Sequence, residues 1–148
     1  MNVLVDTTVW SLALRRKPRD LDPAQQSVVN ELADLTREGR ARVIGLIRQE
    51  LLSGIKTAAQ FEKLRIALRG FPDEPISTSD HEAGAKASNE CRARGIVAPV
   101  VEALICQVAL SRQWSIFTTD PDFEAYAKVL PIKLHAPRAG SGKSTTDD

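Results

Sequence analysis

The chain opens on VLVDTTVW, residues 3–10: three apolar β-formers, one acid, two threonines and a fresh apolar run. Val3–Val5 reads as a short buried strand running straight into a helix, Thr8–Arg15, which the stretch Arg15, Arg16, Lys17 and Pro18 brings to an end. The same strand-then-helix step recurs along the chain. Ala41–Gly45 is a second strand candidate, followed by a helix carrying Leu46, Ile47, Glu50 and Leu51 up to Gly54. Ile76–Thr78, Trp114–Thr118 and Leu130–Leu134 are the third, fourth and last candidates, with Asp120–Lys128 a short helix between the final two. Strands alternating with helices argue for an α/β three-layer sandwich around a mainly parallel sheet.

Local chemistry sets the other helix boundaries. Asp22-Pro23-Ala24-Gln25 supplies an Asp cap, a proline at the first helical position and a glutamine three residues on. Val28, Leu32 and Leu35 follow at helical spacing, and Gly39 closes the segment. A helix over Thr57–Leu68 puts Phe61, Leu64 and Leu68 on one side, and Pro72 and Pro75 frame a turn. Ser79-Asp80-His81-Glu82 reads as a capping box opening a helix to Arg94, whose Ala83, Ala87 and Cys91 face is small enough for close helix packing. Gly95 ends that helix, and Pro99 starts a nearly all-apolar one through Leu110.

A chain of 148 residues suits one domain, residues 1–136, with a real core. From Pro137 the composition shifts to Gly, Ser, Thr, Lys and Asp, which predicts a disordered tail over 137–148. The formal charge is only +1, so no overall basic field announces nucleic acid. Any such contact must come from local clusters: Arg15, Arg16, Lys17 and Arg19 after the first helix, and Arg92 and Arg94 before Gly95. Cys91 and Cys106 lack the number and spacing of a disulfide framework or zinc site and are read as reduced core residues. The N-terminus has no basic segment and Asp6 interrupts its apolar run, so no signal peptide is expected. No stretch approaches the roughly eighteen apolar residues of a membrane span. A cytoplasmic location is the expectation.

The run GSGKST at residues 140–145 invites a phosphate-loop reading, but that motif needs a glycine five residues before Gly142, where Pro137 stands. His81 and His135 lack metal-ligand spacing and a partner nucleophile, and both are expected on the surface.

The acids say more. Asp6 has the ordinary reading of a helix N-cap. Asp120-Pro121-Asp122 has one too: a cap, a first-turn proline and an acid favoured by the helix dipole. Glu50 and Glu102 resist such readings. Glu50 lies beside an apolar stripe, and Glu102 is the only charged residue from Val97 to Leu110. A lone carboxylate on so apolar a helix is costly unless paired, coordinated or at an exposed end, such as the first turn after Pro99. In a parallel α/β sheet, ligands gather outside the carboxyl ends of the strands, and Asp6 and Asp120 each directly follow a strand. Two like charges ~5 Å apart repel by about 3 kcal/mol at an effective dielectric near 20. Four together call for a cation or raised pKa values, and an oxygen-only set selects Mg²⁺ or Mn²⁺ over zinc.

This pattern resembles the PIN-domain ribonucleases, and among them the VapC toxins of bacterial and archaeal toxin–antitoxin pairs. The matching pieces are VLVDTTVW, RQELLSG around Glu50, and RGIVAPVVEALICQVAL followed by FTTDPDF. With the chain length they cover nearly everything up to His135. The resemblance implies a parallel five-stranded sheet between helices and a divalent-metal carboxylate cluster. Carried over, Asp6 is the first acid, with Thr8 the hydroxyl residue beside it; Glu50 is the second acid, Glu102 the third and Asp120 the fourth. Asp122 is an additional, outer acid. The family's third acid is usually aspartate, and Glu102 extends the carboxylate by one methylene. The implied activity is a Mg²⁺- or Mn²⁺-dependent endoribonuclease using activated water, with a small VapB-like antitoxin as partner. A homodimer is implied as well, since the short strands cannot cover every apolar helix, among them those bearing Trp10, Leu12, Leu14 and Phe61. The alternative is a PIN-like module that binds RNA or protein without turnover, which Glu102 favours. A phosphoacceptor receiver domain is disfavoured, because no adjacent acid pair follows the first strand.

Overall fold

In the computed structural model, which describes residues 1–138, the sheet is built on β1, Val3–Val5, whose three side chains are fully enclosed. Burying each such aliphatic side chain contributes roughly 1.5–3 kcal/mol, so this short strand is well anchored. β2 (Ala41–Arg42) and β3 (Ser115–Phe117) flank it in parallel, in the order β2-β1-β3, with Leu4 opposite both Arg42 and Ile116. The helices are α1 (Thr7–Leu14), α2 (Pro23–Arg37), α3 (Gly45–Leu52), α4 (Ala58–Leu68), α5 (Thr78–Ala93), α6 (Val100–Arg112) and α7 (Asp122–Tyr126). A helix follows each strand, as the α/β reading expects.

The strand count differs from five. Among the described residues three strands form, and the two further segments contribute single parallel bridges, Val43 to Asp73 and Ile116 to Leu134. The first bridge is fixed by the Glu74 N–H donating to Val43 O at 2.9 Å, between Pro72 and Pro75. The second is fixed by Ile116 N–H to Lys133 O and His135 N–H to Ile116 O, at 2.8 and 2.7 Å, just after Pro131. Proline has no N–H to give a ladder, so both edges stop at one pairing. The succession from the Asp73 bridge to the Leu134 bridge still crosses five parallel backbone segments.

The third expected strand, Ile76–Thr78, is displaced because α5 begins at Thr78, and its capping box starts at Ser77 rather than Ser79. Ser77 Oγ accepts from Asp80 N–H and Asp80 Oδ2 accepts from Ser77 N–H, at 3.2 and 2.9 Å. Asp80 has acceptor capacity left for the Arg112 guanidinium, and that contact fixes the register. The Asp22–Gln25 capping box forms as expected, with bonds of 2.8 and 3.0 Å.

The broadest helix contact is α5 on α6. Gly84, Ala87, Ser88 and Cys91 form the buried face of α5, and a Cβ at Gly84 would stand 3.4 Å from Leu104 Cα. This close approach seats the start of α6. Cys91 and Cys106 are free and buried, and burial pushes the Cys106 thiol up to about 12. Trp10 Nε1 donates to Val5 O at 3.0 Å and its ring meets Phe71 edge-on, tying α1 to β1. Trp10 and Leu12 are buried within the chain itself, whereas Leu14 and Phe61 are exposed.

His135 is not a surface residue. Its ring Nε2 meets Glu31, an acid with 0% exposure, which Arg138 Nε also binds at 2.9 Å. Of the segment from Pro137, Pro137 and Arg138 are described; residues 139–148, with GSGKST, lie outside the described residues.

Candidate metal centre

The carboxyl end of β1 delivers Asp6, and its N–H extends the ladder by donating to Phe117 O at 2.9 Å. Asp6 occupies the N-cap of α1, yet its side chain bonds no helix N–H. Instead Oδ2 accepts from Thr8 Oγ1 at 2.9 Å and Thr118 Oγ1 at 2.8 Å, leaving the residue 6% exposed. The capping role is therefore absent, and two hydroxyls hold a nearly buried carboxylate in one orientation.

The segment after β3 is bound into the same array. Thr8 Oγ1 accepts from Thr119 N–H and Thr118 Oγ1 from Asp120 N–H, both at 3.0 Å. Asp120 Oδ1 accepts from Asp122 N–H at 2.9 Å, so one of its oxygens does serve the start of α7. Its Oδ2 takes no hydrogen bond from the described residues. Glu50, exposed on α3 beside the buried Ile47 and Leu51, accepts from Thr7 Oγ1 at 2.8 Å. Glu102 stands half-buried in the first turn of α6, and its carboxylate accepts no hydrogen bond from any described residue.

Three of the acids meet closely: one carboxylate oxygen from each of Glu102, Asp120 and Asp122 lies within 4.8 Å of the others. Asp6 and Glu50 stand outside that tight group but within its field. The Glu102 pKa is raised, first by burial and then by negative charge on Asp120, Asp6, Asp122 and Glu50. The charges of the other four acids thus reach Glu102, and no described Lys or Arg forms an ion pair with any of the five.

A family model describing the PIN domain matches residues 3–129. The chain belongs to the PIN-domain family. No curated protein matches this PIN domain. Solved structures similar to it include FitAcB from Neisseria gonorrhoeae, 19% identical with a TM-score of 0.70, covering 91% of this chain and 97% of that one. VapBC2 from Rickettsia felis, bound to a DNA fragment from their promoter, is 17% identical with a TM-score of 0.69, covering 91% and 98%. A toxin–antitoxin complex from Klebsiella pneumoniae is 16% identical with a TM-score of 0.65, covering 93% and 98%. At these identities the likeness is one of fold.

The residues of this PIN domain suit a divalent cation. Every donor is a carboxylate oxygen, the set that hard ions such as Mg²⁺ and Mn²⁺ take. The repulsion that raises the Glu102 pKa is the kind a bound cation relieves.

Sequence reasoning selected Thr8 but missed Thr7, Thr118 and Thr119. The signal was present as a mirror: Asp6-Thr7-Thr8 leaves one strand end, and Thr118-Thr119-Asp120 leaves its neighbour. Among the basic candidates, Arg15, Arg16, Lys17 and Arg19 are exposed around a short 3-10 turn, Pro18–Asp20. Arg92 and Arg94 are exposed at the end of α5, where Arg92 also meets Asn89 Oδ1 at 2.9 Å.

Proposed function

We propose that this PIN domain is a metal-dependent endoribonuclease and the toxin of a toxin–antitoxin pair. The carrying observation is the convergence of Glu102, Asp120 and Asp122, in the field of Asp6 and Glu50, without a compensating cation from the described chain. In this reading Asp6, Glu50, Glu102 and Asp120 hold Mg²⁺ or Mn²⁺ directly or through waters, and Asp122, which lies in the tight group with Glu102 and Asp120, assists. When bound, such an ion lowers the pKa of water and offsets charge developing on the phosphate. Thr8 and Thr118 aim Asp6 by donating to it, and Thr7 does the same for Glu50. No serine or histidine nucleophile is required, and His135 is engaged by Glu31.

Arg15, Arg16, Lys17 and Arg19, with Arg92 and Arg94, are the candidates to draw the RNA backbone towards an otherwise repulsive site. A small antitoxin is the proposed partner, in line with the toxin–antitoxin complex among the similar folds. Exposed Leu14, Phe61, Val97 and Val100 offer apolar surface for that partner or for a second copy in a homodimer. No helix of the described residues is long and apolar enough to cross a membrane, and the proposed place of action is the cytoplasm.

Cleavage of end-labelled RNA with Mg²⁺ or Mn²⁺, abolished by chelation and restored by added metal, is the expected result. Absence of cleavage under every metal condition, with RNA still bound, selects the non-catalytic reading instead. The unheld Glu102 carboxylate is the feature that favours that alternative.

A further inference from the structure

Beneath the acids lies a group that the proposed chemistry leaves unused. Tyr126 is 1% exposed, and its hydroxyl oxygen is enclosed without a hydrogen-bond partner among the described residues. Its ring is clamped edge-on against Phe123 at 5.1 Å, so the hydroxyl has a fixed position. Asp122 and Tyr126 are four residues apart on α7, and Glu102 and Cys106 are four apart on α6; residues so spaced share a helix face. Carboxylate oxygens of Asp122 and Glu102 lie within 4.8 Å of each other, so the α7 face that carries Tyr126 meets the α6 face that carries Glu102 and Cys106.

Enclosing a hydroxyl without a partner is unfavourable, and phenylalanine would fill the same space without that penalty. The neighbouring acceptor is in the complementary position. Asp6 is held by two threonines, Glu50 by a third, and Asp120 by a backbone N–H, while among the described residues nothing donates to the Glu102 carboxylate or to that of Asp122. The fold thus sets a donor without an acceptor near an acceptor without a donor.

We propose that Tyr126 is a positioning residue for Glu102: its hydroxyl donates to the Glu102 carboxylate across one ordered water and fixes it for metal binding. Burial and the nearby negative charge, that of Glu102 before that of Asp122 and Asp120, push the hydroxyl pKa up. Tyrosine keeps its proton at physiological pH in any case, since its ordinary pKa is about 10. The role in metal binding rests on the metal-centre reading above; the contact itself does not.

Tyr126 is the only tyrosine in the chain, so tyrosine labelled at Cζ gives a single carbon resonance that reports this hydroxyl. In the full-length protein without metal, Glu102→Gln should move that resonance. Mn²⁺ titration should show Tyr126→Phe weakening binding about tenfold, the usual effect of removing a hydrogen-bond partner of a ligand. In a Glu102→Gln background Tyr126→Phe should have no further effect on Mn²⁺ affinity. A Tyr126 resonance indifferent to Glu102→Gln, together with Mn²⁺ affinity unchanged in Tyr126→Phe, overturns the proposal. If the resonance responds but the wild type takes up no Mn²⁺, the metal-centre reading fails while the Tyr126–Glu102 contact stands.

Discussion

The two ends of α6 present carboxylates with opposite fates. At the C-terminal end the Arg112 guanidinium donates to both oxygens of Asp80, at 2.7 and 2.9 Å, to Glu74 at 2.8 Å and to Pro75 O at 2.9 Å. Those bonds hold the Asp80 carboxyl well below the usual carboxylate range. At the N-terminal end Glu102 faces Asp6, Glu50, Asp120 and Asp122, and its pKa moves the other way. An acid neutralised by a fixed cation holds elements together. Acids left unneutralised cost stability, and such uncompensated clusters are where function concentrates.

The sharpest break of this comparison is at the open end. Asp6→Asn should reduce RNA cleavage to background while thermal unfolding shows the protein as stable as wild type or more so, because one repelling charge is gone. Asparagine also caps helices about as well as aspartate, so a residue that only capped α1 would lose nothing. Full cleavage by Asp6→Asn would sink the metal-centre reading.

At the closed end Arg112→Met should cost about 2 kcal/mol in urea unfolding, since it leaves the largely buried Asp80 and the half-buried Glu74 without their cation. Cleavage per folded molecule should stay near wild type. If stability is unchanged, the closed end is not held by charge.

Stability against pH should distinguish the ends by sign. The depressed Asp80 pKa contributes stability that is complete above the ordinary aspartate range and lost as pH falls through the folded value. The raised Glu102 pKa works in reverse: its contribution is complete below the ordinary glutamate range and lost as pH rises through the folded value. Mild acidification from neutrality should therefore relieve the open end before stronger acid breaks the closed one. Urea midpoints measured across pH should show Glu102→Gln removing the gain on mild acidification and Asp80→Asn removing part of the loss in stronger acid. Identical pH profiles for wild type and Glu102→Gln would refute the first half.

The smallest effect concerns the approach of RNA to the open end. Neutralising Arg15, Arg16 and Lys17 together should weaken RNA binding similarly across sequences. It should also flatten the salt dependence by about 0.7 for each phosphate that the cluster no longer neutralises. An unchanged slope would move the binding track away from the first helix.

Much of this was legible in the residues. The alternation of apolar runs with capped helices gave the α/β class, and the Asp22–Gln25 box formed where its spacing requires, because a cap joins groups three residues apart. The order of the acids pointed to one edge of the sheet, since an acid directly after a parallel strand has one place to go. Asp6 shows where that reading stops. Cap and ligand look the same in sequence, and the answer came from Thr118, 112 residues away.

Periodicity, composition and local capping thus determined the sheet type, most helix starts and the edge on which acids gather, because those signals act over a few residues. Tertiary structure alone decided that Glu102, Asp120 and Asp122 come together, which threonines hold Asp6 and Glu50, and that Glu102 takes no hydrogen bond from the described residues. It also decided that Glu31 is buried, with His135 and Arg138 brought to it from more than a hundred residues along the chain. Short-range order is written in neighbouring residues. The partners of a buried polar group are chosen only when distant segments close on one another, and each must then find a counterpart or go without.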